Sequence, residues 1–393
     1  MPPLSITHFT LTNALGRGKQ SSLDALRNGR SGLQPCDLES VDLTTWIGRV
    51  SGLEELPLTG KSASYDCRNN RLAQLALQQD NFLPAVTQAV ERYGTDRIGL
   101  FLGTSTSGIA ATENAYQSRK DGALPVDYTP QYTHNIASSS HFVRDFLGLN
   151  GAAITISTAC SSSSKVFAAA HRYITAGVCD AAIVGGVDSL CLTTLYGFNA
   201  LDLVSTEPCR PWDAQRSGIN IGEGAGFALL EKPQSNLSQP TLIGYGESSD
   251  AYHMSTPHPE GEGARYAMQQ ALQRAGLESS DIDYINLHGT ATMSNDASED
   301  SAVYALFGNQ TPCSSTKGFT GHTLGAAGII EAIFALLCLQ DGLMPQSLQT
   351  KQQDQSLGAN ILLNPNRQTL NYVLSNSFGF GGNNCSLIFG AAT

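Results

Sequence analysis

The stretch Ala153-Ile154-Thr155-Ile156-Ser157-Thr158-Ala159-Cys160-Ser161-Ser162-Ser163-Ser164-Lys165-Val166 decides how this chain is read. Ala153 to Ser157 is short, apolar and β-branched, which predicts a buried strand rather than a helix. From Ser161 to Ala176 apolar residues recur at Val166, Phe167, Ala169, Ala170, Tyr173 and Ile174, the spacing of a helix with one face on a sheet. Cys160 then falls at a strand-to-helix turn, its sulfur toward the free N–H groups of the helix. The positive end of a helix favours an anion, so the turn is expected to lower the thiol pKa and give thiolate at neutral pH. Taken alone, a cysteine after a strand is more often a small buried apolar residue. The rest of the chain has to supply the chemistry.

The 393 residues suffice for two domain-sized halves, each with its own core. With 41% hydrophobic and 15% charged residues the chain reads as lightly charged and globular. A net charge of −11 and no run of lysines and arginines argue against a nucleic-acid binder. Nine cysteines, an odd number without a CxxC pair, argue against a disulfide framework or a zinc site and for a reducing compartment, so a cytoplasmic location is expected. Met1-Pro2-Pro3-Leu4-Ser5 has no basic segment leading into an apolar one, so no signal peptide is expected. The longest apolar run, roughly Gly325 to Leu339, is interrupted by Glu331 and is too short to cross a bilayer.

Strand and helix patterns alternate along the chain, which implies layered α/β sheets. Residues 1–95 parse poorly, with helices expected over Leu23–Asn28 and Arg71–Tyr93. Strands are expected at Ile98–Gly103, Ala181–Gly186 and Phe227–Glu231. Pro233 to Pro240, with Ser235, Asn236 and Ser238, is the most linker-like stretch, dividing the chain into 1–238 and 239–393. The second half repeats the theme: strands at Leu242–Gly246, Asp283–Leu287, Pro312–Thr316, Tyr372–Ser377 and Ser386–Phe389, and helices at Ala264–Ala275, Ala297–Phe307 and Thr323–Leu339. Identity between the halves is too faint to prove a duplication.

Two histidines stand in unusual surroundings. His288 ends a strand in Asn286-Leu287-His288-Gly289-Thr290-Ala291-Thr292, and His322 lies in a glycine-rich loop, Lys317 to Gly328, that enters a helix. Each can be a hydrogen-bonded structural histidine; a neutral imidazole can also donate from one nitrogen while the other accepts. The tail Asn376-Ser377-Phe378-Gly379-Phe380-Gly381-Gly382-Asn383-Asn384 reads either as a tight turn between strands or as backbone N–H groups brought close to a ligand. Gly103 to Gly108 lacks the GK[ST] ending of a phosphate loop.

These residues, in order, resemble the elongating β-ketoacyl-acyl-carrier-protein synthases of the thiolase-like superfamily. The resemblance rests on Thr158-Ala159-Cys160-Ser161-Ser162, Pro211-Trp212-Asp213 with Gly222-Glu223-Gly224-Ala225-Gly226, Ser249 to Met254, His288 to Thr292 with Asn295-Asp296 and Glu299, Lys317 to His322 with Glu331, and Phe378 to Asn384. It covers residues 95–390 strongly and the first 95 loosely. It implies a thiolase-like α/β fold of two similar halves in an α-β-α-β-α arrangement. Cys160 is then the nucleophile that accepts an acyl chain, with His288 and His322 stabilising the enolate from malonyl-carrier protein and Lys317 organising the site electrostatically. Glu299, Glu331 and Asp296 support this set, and the N–H groups of Cys160 and Phe380 form the oxyanion hole. Thr290 and Thr292 bind the carrier's phosphopantetheine arm, and Ile219, Phe378 and Phe380 gate the acyl channel.

The resemblance implies no cofactor or metal on the enzyme itself, since the substrates ride on the phosphopantetheine of an acyl-carrier protein. It also implies a dimer formed through the sheet preceding the nucleophile, either of identical chains or with a ketosynthase-like chain-length factor. Carrier proteins are acidic, so a local basic patch is expected, with Arg68 and Arg71 as docking candidates, Lys61 weaker, and an ordinary solvated helix face as the alternative. The chain departs from the family pattern at Ile219, where phenylalanine is frequent, at Asn383, where threonine is usual, and at Glu207, where a carrier-binding arginine is common. These departures suggest a specialised synthase of polyene or polyketide chains, such as an aryl-polyene ketosynthase, rather than the housekeeping enzyme. A non-catalytic chain-length factor would lack Cys160, and a cysteine acyl hydrolase would leave the second histidine and Lys317 without a role.

Overall fold

The computed structural model describes residues 1–39, 41–233 and 238–392. In the first half, strands β1 (Leu4–Asn13), β2 (Ile98–Gly103), β3 (Ala153–Ile156), β4 (Ala181–Asp188) and β5 (Gly224–Glu231) lie in the order β3-β2-β4-β5-β1. In the second, β6 (Thr241–Ser249), β7 (Tyr284–Asn286), β8 (Pro312–Ser314), β9 (Tyr372–Gly379) and β10 (Asn383–Gly390) lie in the order β8-β7-β9-β10-β6, with a short edge strand at Asn360–Ile361. The third, second, fourth, fifth and first strands of each half therefore sit side by side in the same sequence. The two sheets join where β1 meets β6, at Leu4–Leu242 and Ser5–Thr241. The duplication that is too faint in sequence is plain in the strand order.

Helices fill the layers between and outside the sheets. We number them α1 (Gly18–Asn28), α2 (Arg68–Leu77), α3 (Phe82–Tyr93), α4 (Ser138–Leu147), α5 (Ser162–Thr175), α6 (Glu262–Ala275), α7 (Met293–Phe307) and α8 (Ala327–Asp341). Between the sheets, α5 and α8 touch strands of both halves, while α2, α3 and α4 cover the first sheet and α6 the second. The expected α-β-α-β-α layering results, with separate buried clusters in the middle and under each outer layer. The residues Leu324–Asp341 are apolar enough to suggest a membrane helix, yet 89% of them are buried. Sandwiched between two sheets, a helix becomes apolar all round.

Two expectations change. Arg71–Tyr93 is not one helix: α2 ends at Leu77, and Asp80 and Asn81 take left-handed φ values of 53° and 56° before α3 begins. The break is held because the Asp80 carboxylate accepts from the Lys19 N–H at 3.0 Å and from the Thr10 hydroxyl at 3.0 Å. Within the poorly parsed first 95 residues, β1 is a central strand whose alternation is scrambled by a bulge between Ile6 and His8, which shifts the inward face by one residue. Of the expected linker, residues 234–237 lie outside the described residues.

Candidate active site

The loops after β3, β7, β8 and β9 converge on one pocket, lined by Cys160, His288, His322, Phe378 and Phe380 among others. Cys160 follows Ala159, whose φ of 52° makes a tight elbow between β3 and α5. The Ser162 hydroxyl pins that elbow, accepting from the Thr158 N–H at 2.9 Å and donating to the Ala159 carbonyl at 2.6 Å. Deeper in, α5 and α8 cross closely because Gly328 has no side chain: a Cβ there would stand 2.5 Å from the Ser164 nitrogen.

Cys160 Sγ lies 3.0 Å from His322 Nε2, and the His288 and His322 rings are 5.3 Å apart, edge to face. The tautomer of each ring follows from its other nitrogen. His322 Nδ1 accepts the Leu324 N–H at 3.2 Å, and His288 Nδ1 lies 3.3 Å from Lys317 Nζ, which can only donate. A neutral imidazole has one N–H, so in both rings the hydrogen is on Nε2. Burial, then the Lys317 charge, holds both histidines well below the usual histidine pKa. Two neutral N–H groups therefore point into the pocket at physiological pH.

The helix-lowered thiol expected at Cys160 is corrected by its burial. Desolvation pushes the Cys160 pKa up to about 11, against the lowering effects of Lys317 and of the Phe380 N–H. Cys160 is only 6% exposed at the wall of the pocket, and burial disfavours the charged form of a thiol. At rest the residue is a thiol.

Lys317 is itself buried, and its ammonium has three acceptors: His288 Nδ1, the His288 carbonyl and Glu331. Burial raises Glu331 to about 7, with Lys317 pulling the other way. Glu299, also raised to about 7 by burial, accepts from the N–H groups of His288 and Gly289 at 2.8 Å each. Asp296, raised to about 6 by burial, accepts from Trp212 N–H at 2.9 Å and Ala291 N–H at 3.2 Å, with Arg216 at 3.6 Å. Glu299 thus fixes the backbone of His288 and Asp296 that of the following turn. Thr290 and Thr292 line the same pocket with their hydroxyls 2.9 Å apart, and Ile219 lines it too. The Phe380 ring packs on Phe198 at 5.5 Å.

Arg68 and Arg71 are not the free surface cations expected of a docking patch. Arg68 bonds the fully buried Glu223 through Nε at 2.8 Å and Nη2 at 2.6 Å and also pairs with Glu54; Arg71 pairs with Asp66. A buried carboxylate needs a partner, and Arg68 is that partner. Glu207 pairs with Arg210, and Lys165 reaches Asn383 at 3.3 Å.

Sequence reasoning missed Asp188. It ends β4, fully buried, and accepts from the hydroxyls of Thr104, Ser105 and Thr106 and from the N–H groups of Ser105 and Thr106. It also accepts the Gly325 N–H at 2.6 Å, three residues after His322. A lone acid closing an otherwise apolar strand was the available signal. Phe198 and Leu203, also pocket-lining, come from a stretch with no chemical signature.

Comparison with known proteins agrees with this geometry. Residues 1–236 match the family model "Beta-ketoacyl synthase, N-terminal domain" and residues 240–351 match "Beta-ketoacyl synthase, C-terminal domain". The 3-oxoacyl-[acyl-carrier-protein] synthase 2 of Vibrio cholerae is 33% identical, the match covering 98% of each chain. That of Rhizobium meliloti is 38% identical over 74% of this chain and 73% of its own. Among solved structures, the ketosynthase (ApeO) in complex with its chain length factor (ApeC) from Xenorhabdus doucetiae is similar over 100% of this chain and 98% of that one, with 38% identity and a TM-score of 0.89. The ishigamide ketosynthase/chain length factor is similar at 25% identity and the same TM-score, over the whole of both chains.

Proposed function

The chain belongs to the β-ketoacyl synthase family, with its thiolase-like fold, and from that premise we propose how its residues carry out 3-oxoacyl-[acyl-carrier-protein] synthesis. Cys160 attacks the thioester of an acyl-carrier protein. The S–C bond to pantetheine breaks, and the thiol proton of Cys160 ends on the departing pantetheine sulfur, leaving an acyl-enzyme. Malonyl-carrier protein then loses carbon dioxide, and the Nε2–H groups of His288 and His322 hold the negative oxygen of the enolate. The enolate carbon attacks the acyl-cysteine, the sulfur of Cys160 leaves and takes up a proton, and a 3-oxoacyl chain two carbons longer remains on the carrier. The N–H groups of Cys160 and Phe380 would stabilise the tetrahedral oxyanion, a contribution of ~3 kcal/mol per donor.

The observation that carries this reading is the pair of Nε2–H groups beside a buried thiol. After the shared acylation step a hydrolase needs a base to activate water at the acyl-cysteine, and here both histidines offer a donor instead. Thr290 and Thr292 suit the pantetheine arm because they line the pocket, and Ile219, Phe378 and Phe380 suit an acyl gate for the same reason. The division into 1–238 and 239–393 is part of this reading, supported by the repeated strand order. A cytoplasmic location is supported by nine free cysteines.

The likeness to a ketosynthase solved with its chain length factor supports a second reading, in which this chain is the active subunit of such a pair. β3, at the edge of its sheet and only half-buried, offers the surface for either kind of dimer. The test is intact-mass analysis after incubation with acyl-carrier proteins of varied chain length, then malonyl-carrier protein. An adduct on Cys160, absent in Cys160→Ala and converted to a 3-oxoacyl product, is expected. Release of free acid without elongation would overturn the reading. An adduct that forms only with a co-expressed chain-length factor would select the heterodimer.

A further inference from the structure

Cys160 Sγ and one imidazole nitrogen each of His288 and His322 lie within 4.8 Å of one another, all three residues buried. A thiolate and two imidazoles are a donor set for zinc, which takes sulfur at about 2.3 Å and nitrogen at about 2.0–2.1 Å. Modest contraction would close that geometry. The surroundings of the rings run the opposite way from those of a metal site. A zinc-ligating histidine donates its second ring N–H to a carboxylate or carbonyl, which leaves a lone pair for the metal. Here the second nitrogen of each ring faces a donor: the Lys317 ammonium 3.3 Å from His288 Nδ1 and the Leu324 N–H 3.2 Å from His322 Nδ1.

We propose that Lys317 and the Leu324 amide exclude zinc-like cations from this Cys-His-His set by holding both imidazoles as Nε2–H tautomers. The edge that a metal would meet carries two hydrogens and no lone pair. To ligate, each ring must move its proton to Nδ1, where it points at another donor. Lys317 cannot turn away, because its remaining hydrogens are committed to the His288 carbonyl and to Glu331. Leu324 is fixed as well: it takes a φ of 53°, and the next residue, Gly325, is bonded to Asp188. A reactive thiol between two imidazoles is thereby kept from being capped by the soft metals that such a trio attracts.

The inference is independent of the reaction and is tested without substrate, so its failure would leave the acyl-adduct experiment untouched. Zn²⁺ is titrated into the full chain by calorimetry, and Co²⁺ by absorbance, where a sulfur-to-cobalt charge-transfer band reports Cys160. Lys317→Gln replaces the donor by a side chain whose oxygen can accept Nδ1–H, and Lys317→Met only removes the donor. Zinc affinity is expected to rise about 10- to 100-fold in Lys317→Gln and less in Lys317→Met, with the cobalt band lost when Cys160→Ala is added. Circular dichroism checks folding, and if one variant fails to fold the other carries the comparison. Micromolar zinc binding with a cobalt–sulfur band in the unaltered chain would overturn the proposal. So would the absence of any gain in a folded variant.

Discussion

The turn after β3 and the turn after β8 hold the same place in the two halves and carry opposite chemistry. The first presents Cys160 ahead of α5; the second presents Lys317 and His322 ahead of α8. The turns after the second strands differ in the same way. Beyond β2 the chain folds hydroxyls and N–H groups around Asp188, whereas beyond β7 it folds His288 onto Glu299. One half supplies the sulfur and the other the hydrogen-bond donors that face it. Neither is a site alone, and what joins them is the crossing of α5 and α8 at Ser164 and Gly328.

If the halves divide the labour in this way, they can be disabled separately. Cys160→Ala is expected to lower condensation by about 10⁴-fold or more, the size seen when a nucleophile is removed. Release of carbon dioxide from malonyl-carrier protein should persist, because both Nε2–H groups remain. Product mass and carbon dioxide measured on one sample check this; joint loss would break the division. Each of His288→Ala and His322→Ala removes one donor and should slow decarboxylation by about 10²- to 10³-fold. They should differ at the first step. His322 touches Sγ at 3.0 Å, so His322→Ala should also slow acylation, while His288→Ala still accumulates the acyl-enzyme in a single-turnover mass assay. Equal acylation defects would show that the rings do not divide their roles.

Much of this was legible because strongly patterned segments report themselves. The strand at Ile98–Gly103 ends where its apolar run ends, and the helix after Cys160 keeps its spacing to Thr175. What was illegible depended on contacts between distant segments. The bulge in β1 is set by its neighbour β5, the break at Asp80 by partners at Thr10 and Lys19, and the pairing of Arg68 by Glu223, 155 residues away. Cys160 shows the limit most clearly. Its place at a helix start was readable, but the burial that raises its pKa is a property of the assembled pocket.

Asp188 sharpens the comparison, because it belongs to the nucleophile's half and fixes the loop of the other half's histidine. In Asp188→Asn an NH₂ group replaces one carboxylate oxygen among six donors, leaving some of them unpaired. A loss of about 1–3 kcal/mol of stability is expected. If the Gly325 bond also positions His322, kcat should fall about 10-fold with the KM for acyl-carrier protein unchanged, since neither Asp188 nor Gly325 lines the pocket. A lower urea midpoint with unchanged kcat would make Asp188 a purely structural anchor.

The smallest expected effect is the pH dependence that the second half's buried acids give to stability. In the second half, burial raises Glu299 and Glu331 to about 7 and Asp296 to about 6. Over roughly pH 4 to 7 the unfolded chain has released protons that the folded chain still holds at these sites. The folded state then binds more protons, so stability falls as pH rises through that window. Glu54 and Asp354, lowered to about 2 by their partners, act oppositely, but their contribution is lost only as pH falls toward 2. His288 and His322, held low by burial, also oppose the raised carboxylates and do so within the same window, because the unfolded chain's imidazoles take up protons that the folded ones do not. The carboxylates are therefore read from a variant rather than from the net slope. Glu299→Gln cannot titrate, so between pH 5 and 7.5 its stability should gain on that of the unaltered chain by on the order of 1 kcal/mol, whatever its absolute stability. An unchanged slope would mean that Glu299 is already ionised at pH 5, its two N–H donors outweighing its burial.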